Sequence, residues 1–184
     1  MKILAFAASN SKNSINKQLV NYATSLLNGH NIEIIDLNDY ELPLFSEDKE
    51  AELNQPQLAR DFYQKIGKSD AIVIAFAEHN GSYTAAYKNI FDWASRINQK
   101  VFQSKPMVML ATSPGPGGAA SVLATATNSA PYFDGNVVES LSVPAFYDNY
   151  DANSRRITNN DINEKLRLSM ERLVTEALDI KQAS

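Results

Sequence analysis

The run Asp70 to Phe76, DAIVIAF, is apolar at every position after its aspartate. A strand with one wet face alternates. A strand apolar on both sides must be covered on both, as parallel strands inside an α/β sheet are. The rest of the chain has the matching rhythm. Lys2 to Ala7 is a short apolar strand, and from Ile15 a helix pattern places Leu19, Ala23, Leu26 and Leu27 on one face and ends at Asn28-Gly29. Asn31 to Asp36 is a second strand whose alternation (Ile32, Ile34) marks an edge strand or a solvated face. Leu37 to Asn54 is a connector without a period that folds over the body of the domain; its acidic run, Glu47 to Glu52, reads as a solvated helix start or loop. Asn54 to Lys68 is a helix with Pro56 in its first turn. After the third strand come a helix from Thr84 to Ile97, a strand from Lys105 to Thr112 and a helix from Ala119 to Ala130. A fifth strand covers Gly135 to Leu141, continued by a second piece near Pro144 to Tyr147, and a last helix covers Asn159 to Ile180. This regular alternation predicts an α/β, doubly wound, five-stranded parallel sheet with helices on both faces. The expected strand order is 2-1-3-4-5, which puts a ligand crevice outside the C-terminal ends of strands one and three.

Composition narrows what such a crevice can do. The 184 residues suit one domain spanning 1–184. A net charge of −4 and a pI near 5.2 argue against nucleic acid and against anionic membranes as partners. There is no cysteine, hence no disulfide framework and no thiolate nucleophile, and the two histidines, His30 and His79, are far apart, which disfavours a metal site. No apolar stretch approaches the ~20 residues of a membrane helix. The apolar run after Lys2 is short of a signal-peptide core, so a cytoplasmic protein is expected.

The first strand runs into SNSKNS and then into a helix. The first N–H groups of a helix lack partners and carry the positive end of its dipole, so a strand–loop–helix junction is a ready anion site. Ser9, Ser11 and Ser14 add hydroxyl donors, Asn10, Asn13 and Asn16 add amides, and Lys12 adds a full charge. Serine and asparagine are also ordinary turn and cap residues. The loop has no glycine, so neither a Walker A nor a dinucleotide fingerprint is present. A phosphate held by side-chain hydroxyls points to a flavodoxin-like arrangement. The loops after strands three and four, AEHNGSY and SPGPGGAA, fall at the same switch point. Gly81, Gly115, Gly117 and Gly118 allow a ring to approach the backbone closely, although Asn80-Gly81 and Gly115 to Gly118 equally suit tight turns.

Three segments carry a resemblance. SNSKNSINKQL resembles the GSxRxxSxNxxL phosphate loop of the NADPH-dependent FMN reductase family; AEHNGSYTAAYKNIFDWASR resembles its PEYNGSYPxxLKNxxDW segment; TSPGPGGAA resembles its S-x-G-x-x-G-G loop. The resemblance implies a flavodoxin-like fold, bound FMN, NADPH or NADH as co-substrate, and a small-molecule acceptor such as a flavin or quinone. It also implies a homodimer or homotetramer, and no catalytic acid, base or nucleophile. It carries Ser9, Ser14 and Asn16 onto phosphate ligands, with Ser11, Lys12 and Ile15 in the same loop. Glu78, Asn80, Gly81 and Ser82, flanked by Ala77 and His79, fall on the segment along the isoalloxazine ring, and Ser113, Pro114, Gly115 and Gly118 fall on the facing loop. Four positions depart from the family pattern: Ala8 for glycine, Lys12 for arginine, Ala77 for proline and His79 for tyrosine. His79 is read as an exposed residue packing on the ring, with an acid role as the alternative.

The expected activity is hydride transfer from NAD(P)H to FMN and then to the acceptor, in ping-pong fashion. A flavodoxin-type electron carrier is the rival, but a Ser-Pro-Gly loop cannot cover a ring face with an aromatic side chain. A phospho-receiver is set aside because Ala7-Ala8-Ser9 and Phe76-Ala77-Glu78 lack its acidic groups. Phe91 and Trp93, with Ile90, Ala94 and Ile97, give the Thr84 to Ile97 helix more apolar surface than one sheet contact uses, and this too points to a subunit interface, Trp93 itself reading as core or interface rather than as a ring partner.

Overall fold

The structure is a computed structural model and describes residues 1–183. Its centre is a five-stranded parallel sheet of β1 (Lys2–Ala8), β2 (Asn31–Ile35), β3 (Ala71–Phe76), β6 (Pro106–Thr112) and β7 (Asn136–Val143), in the order β2-β1-β3-β6-β7. This is the expected 2-1-3-4-5 order with β2 at an edge. Strand side chains alternate between two covered faces. Leu4, Phe6, Ile72, Ile74, Phe76, Met107 and Met109 pack under α3 (Gln57–Gly67), α4 (Ala85–Ile97) and α5 (Ala120–Ser129). Ile3, Ala5, Val73, Ala75, Val108 and Leu110 pack under α1 (Ile15–Ser25) and α7 (Asn160–Ala183). All six residues of β3 are buried, which is why its sequence shows no alternation.

Strand register sets where the loops begin. Ala8 pairs with Phe76, and Phe76 pairs with Ala111, so β1, β3 and β6 end at one level. Their loops emerge side by side.

Several boundaries differ from the sequence reading, each for a local reason. The connector after β2 holds a 3-10 turn, Leu37–Tyr40, and a helix, α2 (Glu47–Leu53). The acidic run is therefore a helix: Ser46 caps it by accepting from the Lys49 N–H at 3.1 Å, and Glu47, Asp48 and Glu50 sit at the positive end of its dipole. Asn54, with φ +55°, ends α2, and Pro56 is the N-cap of α3, so the helix expected from Asn54 begins at Gln57. Near Pro144 to Tyr147 there is no strand. Ala145 takes φ +44°, and Phe146–Asn149 forms a helical turn, α6. Two hairpins were not foreseen: β4 (Glu78–His79) with β5 (Ser82–Tyr83), and β8 (Tyr150–Asp151) with β9 (Arg156–Ile157).

Trp93 takes the first of the two places its sequence position allows, the core. It is fully buried beneath the connector: its Nε1–H donates to the Pro43 carbonyl at 2.8 Å, and the Phe45 ring meets it edge-on at 5.2 Å. Asn89 pins the same strap, donating to the Leu42 and Pro43 carbonyls and accepting from the Phe45 N–H. The long apolar connector thus covers what looked like spare surface on α4, and Trp93 gives no argument for a subunit interface.

Away from the loop end of the sheet, Glu33 on β2 lies between Lys2, at 2.8 Å, and Lys65 of α3. Hydrogen bonds from Lys2 and then Lys65 hold its carboxyl below the usual carboxylate range. A folded-state pKa below the unfolded one gives stability that is present above the unfolded value and disappears as pH falls through the folded one. Glu33→Gln is expected to cost about 0.2–1 kcal/mol at pH 7, as partly exposed pairs do. The deficit should vanish below the carboxylate range, which urea denaturation at pH 7 and near pH 3 would show.

Candidate functional site

The loop after β1 is built around hydroxyl groups. Ser9 is buried, and its Oγ accepts from the Ser11 N–H at 3.2 Å. Ser14 is the N-cap of α1, its Oγ accepting from the Lys17 N–H at 3.2 Å. The N–H groups of Ile15 and Asn16, the first two of the helix, have no acceptor among the described residues, and the first turn holds no acidic side chain. Ser11 and Lys12 are exposed, and among the described residues Lys12 has no ion pair. Free N–H groups, hydroxyls and an unpaired cation, with no carboxylate to compete, suit a phosphate dianion.

Asn16 behaves differently from its neighbours. It is 2% exposed, its Nδ2 donates to the Thr112 carbonyl at 3.1 Å, and its Oδ1 accepts from the Thr112 N–H at 3.0 Å. The side chain therefore clamps the start of α1 to the end of β6. Thr84, 1% exposed, does the same between α4 and β1: its Oγ1 donates to the Ala8 carbonyl at 3.0 Å and accepts from the Tyr87 N–H at 3.2 Å.

The loop after β3 is the β4–β5 hairpin. Asn80 (φ +53°) and Gly81 (φ +76°) are its two turn residues, both in the left-handed region that an Asn-Gly hairpin turn needs. A Cβ on Gly81 would meet nothing within 4 Å, so the turn faces open space. Ala77 is half-buried, while His79, Gly81 and Ser82 are exposed. Glu78 points away from the turn. Its Oε2 accepts from the Val122 N–H at 2.9 Å, in the first turn of α5, whose own N-cap, Ala119, has no capping side chain. The positive end of α5 is thereby occupied by a carboxylate of the chain itself, whereas that of α1 is not.

The loop after β6 completes the group. Ser113 Oγ donates to the Gly115 carbonyl, while the carbonyls of Ser113 and Gly115 accept from the N–H groups of Phe146 and Ala145. Pro114 is exposed, and Gly115 has open space where a side chain would lie. Gly118, at φ +57°, is glycine for an internal reason: a Cβ there would collide with Ser142 and come within 3.0 Å of the Pro144 nitrogen. The three loops expected to form one site do emerge together, and Asn16, Thr84 and Glu78 tie them to one another. Thr84, Thr112 and Val122 were missed. Thr84 carried a signal, a threonine at the start of a helix pattern; the backbone partners of Asn16 and Glu78 carried none.

A family model for NADPH-dependent FMN reductases matches residues 1–148, including all three loops. The chain belongs to the NADPH-dependent FMN reductase family. A 2-hydroxy-1,4-benzoquinone reductase from a Burkholderia species is 30% identical over 169 residues, covering 91% of this chain and 88% of that protein. An NAD(P)H-dependent FMN reductase of Pseudomonas aeruginosa is 34% identical over 121 residues, 65% of this chain and 64% of its own length. Among solved structures, the flavoenzyme NAD(P)H:(acceptor) oxidoreductase FerB of Paracoccus denitrificans has a TM-score of 0.77 at 25% identity, covering 97% of each chain. An FMN-dependent NADH-azoreductase of Bacillus anthracis, solved with FMN, shares the flavodoxin-like fold at TM-score 0.68 and 12% identity, covering 94% of this chain and 99% of its own. The chain is thus an NAD(P)H-dependent FMN reductase or quinone-type oxidoreductase, with FMN as cofactor. The β8–β9 hairpin and α7 lie beyond the matched residues. Among the described residues no helix is long and apolar enough to cross a membrane.

Asn16→Ala would leave the buried N–H and carbonyl of Thr112 without partners. An unsatisfied buried polar group costs about 1–3 kcal/mol. The substitution should therefore lower unfolding stability by about 2 kcal/mol or more, measured as a shift in urea midpoint on the apo-protein.

Proposed function

We propose that the chain passes hydride equivalents from NADH or NADPH to a flavin- or quinone-type acceptor, the two substrates taking turns over one open face. The observation that carries this reading is the contrast between the two sides of the site. The sheet and the β4–β5 hairpin back one side. On the other stands the loop of Ser113, Pro114 and Gly115, with open space beside Gly115. Bound FMN supplies the hydride acceptance and release, as a flavin does in any fold that holds it.

The residues of the chain bind and orient. Ser9, Ser11, Lys12 and Ser14, with the N–H groups of Ile15 and Asn16, hold the phosphate. The backbone from Ala77 to Ser82 serves the polar edge of the ring, and the loop from Ser113 to Gly118 borders its open side. Asn16, Thr84 and Glu78 keep these walls fixed relative to one another, a precondition for bringing reacting atoms to about 3–3.5 Å. The acceptor is a small planar molecule; the Burkholderia relative is named for a hydroxybenzoquinone. One domain over residues 1–184, working in the cytoplasm where the nicotinamide pool lies, accounts for this activity. The chain is proposed to act as a homodimer or homotetramer. Support for this lies between α4 and α5, where an apolar cavity of about 230 Å³ is lined by Phe91 and Phe133, with Tyr132 exposed beside it.

Titrating apo-protein with FMN and with riboflavin should show FMN binding far more tightly, because only FMN presents a dianion to the loop. Lys12→Ala should weaken FMN by about 1.5–3 kcal/mol, the range for hydrogen bonds to charged groups; equal affinities for FMN and riboflavin would overturn the phosphate site. Steady-state kinetics with a quinone should give parallel double-reciprocal lines, and NADH or NADPH alone should bleach the bound flavin in stopped flow. Intersecting lines would rule out the shared face. Sedimentation at micromolar concentration should show a species larger than the 20.3 kDa monomer.

A further inference from the structure

A cleft of about 310 Å³ lies next to the phosphate loop and belongs to none of the three loops alone. Asn10 forms one edge, the first turn of α4 (Ala85, Ala86) forms the floor, and the connector residues Leu37 to Leu44 form the far wall. We propose that this cleft holds the adenosine end of the nicotinamide dinucleotide and selects NADH over NADPH. The inference rests on the hydride-transfer reading and adds the position and chemistry of the co-substrate's remote half.

Four features support it. The wall is mixed: Leu37, Leu42 and Leu44 offer apolar faces, Leu44 being 79% exposed, while polar groups stand at the edges, as a purine requires. Tyr40 is 8% exposed, lines the cleft, and its hydroxyl has no hydrogen-bond partner among the described residues. Burial, and then the charges of Glu33, Asp61 and Asp39, push its pKa up to about 12, so the hydroxyl keeps its proton at working pH. The floor is a helix N-terminus: the N–H groups of Ala85 and Ala86 have no acceptor among the described residues, and the first turn of α4 carries no acidic residue. They can face a diphosphate. Lastly, the charged side chain lining the cleft is Glu41, and no lysine or arginine lines it. A carboxylate accepts from a ribose 2′-hydroxyl and repels a 2′-phosphate, which is how dinucleotide sites elsewhere separate the two coenzymes.

The cleft owes its shape to anchored side chains. Asn89 and Trp93 hold the strap from Leu42 to Phe45 by four hydrogen bonds, so the wall is fixed before any ligand arrives. The small side chains of Ala85 and Ala86 leave the floor open.

Two measurements test the proposal on FMN-loaded protein. The first is calorimetric titration with ADP-ribose, which reports the cleft without turnover. The wild-type protein should bind it; Ala86→Leu, which fills the floor, should weaken binding by roughly tenfold or more, the scale of overpacking a fixed site. Tyr40→Phe should weaken it by up to about tenfold, one neutral hydrogen bond. The second compares hydride donors. The ratio of kcat/KM for NADH to that for reduced nicotinamide mononucleotide, which lacks the adenosine half, should exceed one in the wild type and fall toward one in both variants. Glu41→Gln should raise kcat/KM for NADPH relative to NADH. ADP-ribose affinity and donor ratio both unmoved by Ala86→Leu, or a wild-type preference for NADPH that Glu41→Gln leaves unchanged, would overturn the inference while leaving hydride transfer intact. A wild-type protein whose bound flavin neither donor reduces would instead overturn the hydride-transfer reading itself.

Discussion

Three parallel strands ending at one level, Ala8 beside Phe76 beside Ala111, are the constraint on which the site depends. Parallel register fixes where each chain leaves the sheet, and the loops beyond have no freedom to start elsewhere. The sheet alone would deliver three loose loops. What turns them into one surface is a small set of buried polar contacts between the foot of one loop and that of another: Asn16 to the Thr112 backbone, Thr84 to the Ala8 carbonyl, Glu78 to the Val122 N–H. Each has a side chain on one element and backbone on another, so each specifies distance as well as direction. A buried amide or hydroxyl without its partner is costly, and this makes the contacts cooperative with the fold.

The helix N-termini around this surface differ in how they are filled. α2 carries acidic residues in its own first turn, and α5 receives Glu78 from across the site. α1 has hydroxyls and Lys12 beside it and no acidic residue in its own first turn, and α4 has no acidic residue in its first turn either. The starts of α1, α3 and α4 all lack acidic residues; that of α1 is lined by the hydroxyls of the loop after β1, and that of α4 borders the cleft beside Asn10.

The connector after β2 has an architectural role that its irregular sequence conceals. It carries no period because no part of it faces a single surface for long. Leu37 and Tyr40 pack inward, Phe45 covers Trp93, and α2 lies outside with no buried residue. It covers Trp93 and at the same time raises the wall of the cleft over Ala85 and Ala86.

The linear sequence was enough for the architecture and for the three loops that meet at one end of the sheet. Uninterrupted apolar strands alternating with amphipathic helices leave little besides a doubly wound parallel sheet, and the order 2-1-3-4-5 came with it. The loops after β1, β3 and β6 were legible because hydroxyl- and glycine-rich composition is local information, and Ser14 could be read as a cap from its place before Ile15. The tertiary structure decided what each side chain in those loops does. Asn16 and Ser14 are two residues apart, yet one reaches across to β6 while the other caps its own helix; only the packing of α1 against the sheet brings Thr112 within 3.1 Å of Asn16. Glu78 matched a ring-binding segment in sequence, and only the folded chain shows that its carboxylate meets the first turn of α5. Core and interface were both open for Trp93 until the connector closed over it, and Tyr40 gave no sign of its unpartnered hydroxyl. In each case the deciding partner is far away along the chain, and local pattern carries no record of a contact that only the folded sheet creates.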